Sequence, residues 1–164
     1  MIEDVAYWPS GTVRIVWHGS QRTELPVTGA HGFCFYEGRV LVCDIQGRGL
    51  TIPGGHLDGS ESASDCLVRE AFEEACVELT NLMPIGFVEA DHRKNRAFEN
   101  QYPVRSVQAF YSADVTAVLE FDSQHESTQR KFVAVGELPS IHHEWNAVLQ
   151  AALESAQKIA GQLQ

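Results

Sequence analysis

Three glutamates near the middle of the chain have the spacing of a shared helix face. Glu70, Glu73 and Glu74 stand at i, i+3 and i+4 within REAFEEACVEL, and residues with that spacing are neighbours on an α-helix. Each like-charge i, i+4 pair costs roughly 0.2–0.5 kcal/mol, so the cluster opposes its own helix unless a cation completes it. Hard oxygen ligands suit Mg²⁺, with Mn²⁺ as a second choice. For the helix taken alone, a plain acidic surface is the alternative.

The residues that precede this helix favour a ligand site. Gly54 and Gly55 allow the backbone to approach a ligand closely and to offer carbonyl oxygens to it. Glu61 lies in the loop that leads into the helix. Arg69 can reach either Glu73, one helical turn further on, or Glu61. Either contact would hold a carboxylate in a fixed orientation.

The elements that must position these residues alternate along the chain. Ser62 has the type and position of a helix N-cap, with Asp65 three residues later, which predicts a helix over 63–75. Apolar patterning predicts strands over 11–18, 33–43 with a turn at Glu37 and Gly38, 85–90, 104–115 and 131–135, and a short extended piece over 50–53 that the two glycines break. An amphipathic helix is predicted over 144–163. This alternation indicates an α/β protein with a mixed sheet.

The composition limits the range of partners. The 164 residues include 12 Lys and Arg against 22 Asp and Glu, a formal net charge of −10, which argues against a nucleic acid polymer because such a partner requires a basic face. No apolar run approaches the ~20 residues that span a bilayer, and the N-terminus lacks a signal-peptide pattern. The chain has four cysteines and no CxxC pair, which argues against a structural zinc site. We expect these cysteines to be buried, small apolar side chains in a reduced, cytoplasmic protein. They are Cys34, Cys43, Cys66 and Cys76.

The segment from Gly55 to Val77 resembles the Nudix box, G-x5-E-x7-R-E-U-x-E-E-x-G-U, in which U is aliphatic. Every charged position matches at the right spacing, namely Glu61, Arg69, Glu70, Glu73 and Glu74. Cys76 departs from the pattern, since the family usually has a glycine there that ends the helix in a left-handed conformation. The flanking segments TIPGGHLDGSES and FVAVGELP also resemble the family, so the resemblance extends over about residues 28–164.

The resemblance implies a fold and an activity. The fold would be an α/β/α sandwich with a mixed β-sheet between helices, as a single domain over 1–164. This domain would comprise an N-terminal strand and lead-in over 1–28, a core over 29–139 with the box at 55–77, and a C-terminal helix over 140–164. The activity would be Mg²⁺-dependent hydrolysis of a pyrophosphate bond in a nucleoside diphosphate linked to another moiety, such as a nucleoside triphosphate, by a metal-activated water.

The resemblance also implies roles for the box residues. Metal binding would fall to Glu70, Glu73 and Glu74, with a carbonyl oxygen of Gly54 or Gly55. Arg69 would orient a glutamate, and Glu61 would support the site. The general base would be a box glutamate or an acidic residue of a later loop, where Glu126 is the first candidate and Glu120 the second. A solvated loop acid is the alternative for both.

Candidate substrate contacts lie next to and after the box. Arg93, Lys94 and Arg96, in the basic segment DHRKNR, have the charge to bind a phosphate, although a solvated loop would have the same composition. Tyr102 could stack on a base, and His56 directly follows the glycine pair. Packing within the protein is the alternative for these rings.

Two further function classes are open. One is a catalytically silent Nudix-fold module that binds a nucleotide or has a regulatory role, and the other is an acidic domain with an accidental match. Silent members usually lose box carboxylates, whereas this chain keeps them all, so hydrolysis is favoured. The expected partner is a small nucleotide, with neither a nucleic acid polymer nor a membrane. A homodimer is left open because dimers are common in the family.

Overall fold

The computed structural model of the protein describes residues 1–9, 11–95 and 101–162. Within these residues nine strands form a single sheet. There are three α-helices, and helices cover both faces of the sheet. The strands are β1 (Ile2–Trp8), β2 (Gly11–Trp17), β3 (Val27–Tyr36), β4 (Arg39–Ile45), β5 (Gly49–Thr51), β6 (Gly54–His56), β7 (Val77–Asp91), β8 (Arg105–Val118) and β9 (Ser127–Ala134). The helices are α1 (Ala63–Ala75), α2 (Leu138–Ile141) and α3 (Ala147–Gln162), with a 3-10 turn (Val135–Glu137) before α2.

The sheet is mixed, as predicted. Its strand order is β1-β2-β7-β8-β3-β4-β5, while β6 pairs with β3 and β9 pairs with β4. The β3–β8 pair is parallel, with Ala30 opposite Ala109, and the other described pairs are antiparallel. The predicted hairpin also forms, because Phe35 pairs with Val40 across the turn at Glu37 and Gly38.

Two apolar layers cover the two faces of the sheet. Phe33 and Val42 pack on one face with Val148 and other residues of α3. Their sequence neighbours Cys34 and Cys43 pack on the opposite face, where α1 contributes buried alanines. Successive residues of a strand point to opposite faces, so α1 and α3 lie on opposite sides. The α/β/α arrangement implied by the resemblance is therefore confirmed.

Several predicted boundaries were wrong. Residues 2–8, which precede the predicted strand over 11–18, form β1, which pairs with β2 along its whole length. Its alternation is hard to detect because Ala6 is its one buried residue. The strands predicted over 85–90 and 104–115 extend as β7 and β8 to 15 and 14 residues. The last strand begins four residues earlier than predicted, at Ser127, and the final helix begins at Ala147.

The secondary structure predicted for the glycine pair was also wrong. Gly54 and Gly55 were expected to break an extended piece, but they belong to β6, where Gly55 pairs with Ala30 of β3. The four cysteines are free and buried, as predicted. None of the helices in the described part of the chain is both long enough and apolar enough to cross a membrane.

Candidate active site

Helix α1 begins and ends at the predicted residues. The Ser62 hydroxyl accepts a hydrogen bond from the Asp65 amide, with an N–O distance of 3.1 Å, which satisfies one of the amides that a helix N-terminus leaves unpaired. At the other end, Cys76 adopts a left-handed conformation with φ 51° and ψ 49°. Its amide donates to the carbonyl of Phe72 at 2.9 Å. Cys76 thus has the backbone geometry for which the family signature uses glycine.

Polar contacts surround the cysteine at this helix end. The Asp122 amide donates to Cys76 Sγ at 3.3 Å. Arg130 Nη1 donates to the carbonyls of Ala75 at 2.6 Å and Cys76 at 3.2 Å, and Nη2 donates to Leu119 O at 2.6 Å. A cation at a helix C-terminus compensates both the unpaired carbonyls and the helix dipole. Sequence spacing does not reveal the role of Arg130, because this residue lies far along the chain in β9.

Arg69 connects the acidic residues of the box. Its guanidinium donates to both oxygens of Glu61, with Nε–Oε2 at 3.1 Å and Nη2–Oε1 at 2.6 Å. Nη1 also donates to Glu70 at 2.9 Å and to Glu73 at 3.3 Å, while Nη2 donates to the His56 carbonyl at 3.0 Å. The sequence left open whether Arg69 reaches Glu61 or Glu73, and it reaches both. The hydrogen bonds from Arg69 lower the pKa of Glu61 to about 2.

Glu74 lies inward from this ion-pair network. Its residue is 9% exposed, and its Oε2 accepts a hydrogen bond from the Gly54 amide at 3.3 Å. Burial raises the pKa of Glu74 to about 8, and the nearby charge of Glu70 adds to the effect. A buried carboxylate without a compensating positive charge is costly, so this position favours a cation.

The two glycines allow the backbone to reach these carboxylates. A Cβ atom at Gly55 would overlap the carboxylate of Glu70. At Gly54, where φ is +157°, a Cβ would overlap the ring of His31 and the carbonyl of Ala30. A larger residue would therefore displace β6 from α1 or from β3.

The donor set is suitable for Mg²⁺, although the side chains are not arranged as a finished metal site. No group of three or more His, Cys, Asp or Glu among the described residues has the geometry to hold an ion, and Arg69 pairs with Glu70 and Glu73. The carboxylate and carbonyl oxygens of these residues are nevertheless hard ligands. Buried Glu74 lies close enough to Glu70 for the two charges to repel. These features fit a small divalent cation.

The loop after β8 brings one candidate base towards the site. The charge of Glu126 contributes to the raised pKa of Glu74, which places the two carboxylates within electrostatic range. The Glu126 carbonyl accepts a hydrogen bond from the Gln46 amide at 3.0 Å, which fixes the end of the loop. Glu120 is exposed at the other end of the same loop.

The three basic residues predicted to bind a phosphate differ in their surroundings. Arg93 donates to both oxygens of Asp91, with Nε–Oδ1 at 3.0 Å and Nη2–Oδ2 at 2.6 Å, so its charge is already compensated. Lys94 is exposed, and Arg96 lies outside the described residues. In the part of the chain that the structure describes, neither Arg93 nor Lys94 forms a hydrogen bond or ion pair with a carboxylate of the box.

Two of the predicted rings lie together. His56 and Tyr102 stack with centroids 4.4 Å apart and an interplanar angle of 13°. This stack places the loop before β8 against the glycine strand β6. Burial lowers the pKa of His56, and the charge of Arg48 adds to the shift.

Two side chains near the glycine pair were not singled out as site residues. His31 Nε2 lies 2.5 Å from Gln108 Oε1, and burial lowers the pKa of His31 to about 4. Arg48 lies six residues before Gly54, between Gly47 and Gly49. An arginine in a glycine-rich turn just ahead of the glycine pair is the available signal in the sequence, but the basic segment at 91–96 is denser in positive charge.

Comparison with models of protein families identifies the family of this chain. The family described as NUDIX domain matches residues 27–153. The chain therefore belongs to the Nudix family, as the box indicated. No curated protein sequence matched the chain.

Solved structures with the same fold include several Nudix proteins. A mutant form of the Bacillus subtilis pyrophosphohydrolase BsRppH aligns with a TM-score of 0.76 and 17% identity over 97% of this chain and 98% of that one. An ADP-ribose pyrophosphatase from Streptococcus suis aligns with a TM-score of 0.60 and 20% identity over 81% and 92%. The NUDIX domain of Shewanella oneidensis NrtR, complexed with ADP ribose, aligns with a TM-score of 0.60 and 16% identity over 84% and 90%. These similarities establish the shared fold.

Proposed function

We propose that this protein is a Mg²⁺-dependent hydrolase that cleaves a pyrophosphate bond in a nucleoside diphosphate linked to another moiety. The observation that carries the proposal is the position of Glu74. This carboxylate is buried against the Gly54 amide and close to Glu70, while Arg69 holds the neighbouring glutamates. Such a site has an excess of inward-facing negative charge that a divalent cation offsets.

The metal would be held by oxygen ligands from two elements. Glu70, Glu73 and Glu74 would contribute carboxylates from α1, and a carbonyl oxygen of Gly54 or Gly55 would complete the set. When bound, the cation supplies neutralisation of the diphosphate charge and a lowered pKa for an attacking water. Mn²⁺ has the same ligand preference and would substitute for Mg²⁺.

Two residues would act beside the metal ligands. Arg69, through its bonds to Glu61, Glu70 and Glu73, would fix the carboxylates before the substrate arrives. Glu126 would accept a proton from the attacking water, since it is the acid of the later loop that lies within electrostatic range of Glu74. A general base of this kind contributes about 10²–10⁴-fold to the rate.

The substrate would be a small nucleotide. The similar structures named above include a pyrophosphohydrolase and an ADP-ribose pyrophosphatase, and another is the E. coli dihydroneopterin triphosphate pyrophosphohydrolase. ADP-ribose and dihydroneopterin triphosphate, the substrates that two of these names give, both contain a pyrophosphate bond. A cytoplasmic location and a homodimer stay predictions.

The test is a substrate panel assayed at alkaline pH with Mg²⁺. The panel contains canonical and oxidised nucleoside triphosphates, ADP-ribose, diadenosine polyphosphates, NADH and nucleotide sugars, and the assay measures released phosphate or nucleoside monophosphate. Glu74→Gln and Glu73→Gln should abolish turnover while circular dichroism shows a folded protein. Glu78→Gln is the matched control, because Glu78 is an exposed acid in β7, just past the end of α1.

A second candidate function is nucleotide binding without hydrolysis. It is favoured by the ion pairs of Arg69, which already engage Glu70 and Glu73. In that case calorimetry would detect tight binding of a panel compound such as ADP-ribose, and no product would form with Mg²⁺ or Mn²⁺. Turnover that survives Glu74→Gln at the wild-type rate would contradict the proposed site.

A further inference from the structure

A cavity of about 350 Å³ lies on the face of the sheet that α3 covers. Its lining comes from the turn between β3 and β4, from β7 and β8, and from the last turn of α3. Ser112 and Asp114 of β8 line the cavity, whereas Ala113 between them packs in the apolar layer on the side of α1, because successive residues of a strand point to opposite faces. The sheet therefore separates this cavity from the box carboxylates of α1.

Part of the lining is apolar and open to solvent. Phe35, Met83 and Ala160 contribute the apolar surface. Met83 is 42% exposed, and Glu37 and Asn81 in the same lining are exposed as well. The volume falls in the range of about 300–1,000 Å³ that small-molecule sites occupy. A ligand with an apolar part can therefore enter the cavity without a change in the fold.

The lining also contains a buried hydroxyl group without a partner. Ser112 is 6% exposed, and its side chain forms no hydrogen bond with any residue that the structure describes. The large majority of buried polar side chains in proteins have a hydrogen-bond partner, and a hydroxyl can both donate and accept. Ser112 therefore has a hydrogen bond to offer to a molecule in the cavity.

The polar part of the lining is negatively charged. Asp114 Oδ2 accepts a hydrogen bond from Asn81 Nδ2 at 2.9 Å, which orients the carboxylate. Neither Asp114 nor Glu37 forms an ion pair with a residue in the described ranges. Helix α3 has no basic side chain in its last turn, to which Ala160 belongs, so the unpaired carbonyl groups at its C-terminus add partial negative charge. The cavity therefore favours a cation.

We propose that this cavity binds a small aliphatic amine, such as a polyamine, in its ammonium form. The Asp114 carboxylate and the Ser112 hydroxyl would accept hydrogen bonds from one ammonium group, and Glu37 would face a second one. The methylene chain would lie against Phe35 and Met83. A metal ion would leave this apolar surface unused and requires more oxygen ligands. The net charge of the chain, −10, attracts cations of this kind from solution.

Isothermal calorimetry with spermidine at low ionic strength provides the first test. Spermidine should bind to the wild-type protein, and Asp114→Asn should raise its Kd by about 10-fold, because a charge-assisted hydrogen bond to the ammonium group is lost. Asparagine keeps an oxygen that accepts the Asn81 hydrogen bond, so this variant should retain the fold. Glu24→Gln is the matched control, since Glu24 is an exposed acid in the segment before β3, and its Kd should equal that of the wild type.

The buried hydroxyl and the chemistry of the ligand are tested in the same assay. Ser112→Ala should raise the Kd for spermidine by about 3-fold to 10-fold, because one hydrogen bond is lost. Hexanol, which has an aliphatic chain without a charge, should not bind. Calcium chloride tests for a simple divalent-cation site, and any binding of Ca²⁺ should be unaffected by Ser112→Ala. Binding of Ca²⁺ that Ser112→Ala weakens as much as that of spermidine would overturn the assignment to an amine.

A titration followed by NMR locates the bound amine. Spermidine should shift the backbone amide signals of Ser112 and Asp114 and the side-chain amide signals of Asn81, and it should do so equally in Glu74→Gln, because the sheet separates the cavity from the proposed metal site. Absence of spermidine binding by the wild type, shifts confined to the box, or equal Kd values for Asp114→Asn, Ser112→Ala and wild type would overturn the inference. If Asp114→Asn loses stability in thermal unfolding, Ser112→Ala decides the question.

Discussion

The guanidinium of Arg69 and the carboxylate of Glu61 meet through two parallel hydrogen bonds, with N–O distances of 3.1 and 2.6 Å. The Arg69 side chain is 28% exposed and that of Glu61 is 17% exposed, so water screens this pair only partly. The contact ties the loop before α1 to the helix. Because the same guanidinium also contacts Glu70 and Glu73, the loop and two of the proposed ligands are held by one group.

Arg69→Lys should lower activity more than it lowers stability. A lysine supplies a single ammonium and cannot hold Glu61 with two bonds while it contacts Glu70. Loss of a group that orients metal ligands typically costs 10–100-fold in activity or metal affinity, and we expect a loss of about that size in kcat/KM. Titration of activity with Mg²⁺ would measure it. Arg14→Lys, at the surface pair with Glu3, is the control, and an equal effect in both variants would contradict the role of Arg69.

Glu126→Gln should reduce kcat far more than Glu120→Gln. The proposed base must lie within reach of the attacking water, and of these two acids Glu126 is the one whose charge acts on Glu74. We expect a fall of about 10²–10⁴-fold in kcat, the usual contribution of a general base, with KM nearly unchanged. Rapid-quench or steady-state assays of both variants would measure this. Equal rates for the two variants would return the role to a box glutamate.

The parts of the site that the sequence predicted are set by local signals. Helix α1 runs over Ala63–Ala75 because its cap, Ser62, and its apolar stripe lie within the same stretch. The contact between Arg69 and Glu61 was one of two options that short spacing allowed. Such features depend on residues that are close in sequence, so spacing and residue type suffice.

The parts that the sequence missed depend on partners far along the chain. Gly54 and Gly55 look like breakers until β3 pairs with them, and Arg130 reaches the end of α1 from a position 55 residues after Ala75. The charge of Arg93 suggested a phosphate contact, but Asp91, two residues away, already engages it. Composition shows that a charge is present and does not show which neighbour binds it.

Cys76→Gly should leave the protein more stable than Cys76→Ala. Both substitutions remove the contact between the Asp122 amide and the sulfur. Alanine keeps a Cβ in the left-handed conformation at φ 51°, whereas glycine adopts it freely, a difference of about 1 kcal/mol in the free energy of unfolding. Urea denaturation of the two variants would measure the difference. If the alanine variant is as stable as the glycine variant, strain at this helix end is not significant.

His142→Gln should remove a group that destabilises the folded protein in mild acid. His142 is largely buried, its Nδ1 lies 2.7 Å from the His143 carbonyl, and burial lowers its pKa from 6.5 to about 4. Because a carbonyl only accepts, Nδ1 carries the proton, and the neutral ring has no buried donor left to offer. A second proton must therefore enter a site that disfavours it.

The sign of the pH effect follows from this lowered pKa. Between pH 6.5 and pH 4 the unfolded chain binds a proton at His142 that the folded protein excludes, so the free energy of unfolding falls as the pH falls through this range. One such group contributes about 2–3 kcal/mol between pH 7 and pH 4. Urea denaturation at several pH values would show that the free energy of unfolding of His142→Gln rises relative to that of wild type as the pH falls from 7 to 4. His31, with its pKa lowered to about 4, and Glu74, with its pKa raised to about 8, act in opposite directions but equally in both proteins, so parallel curves would contradict the prediction.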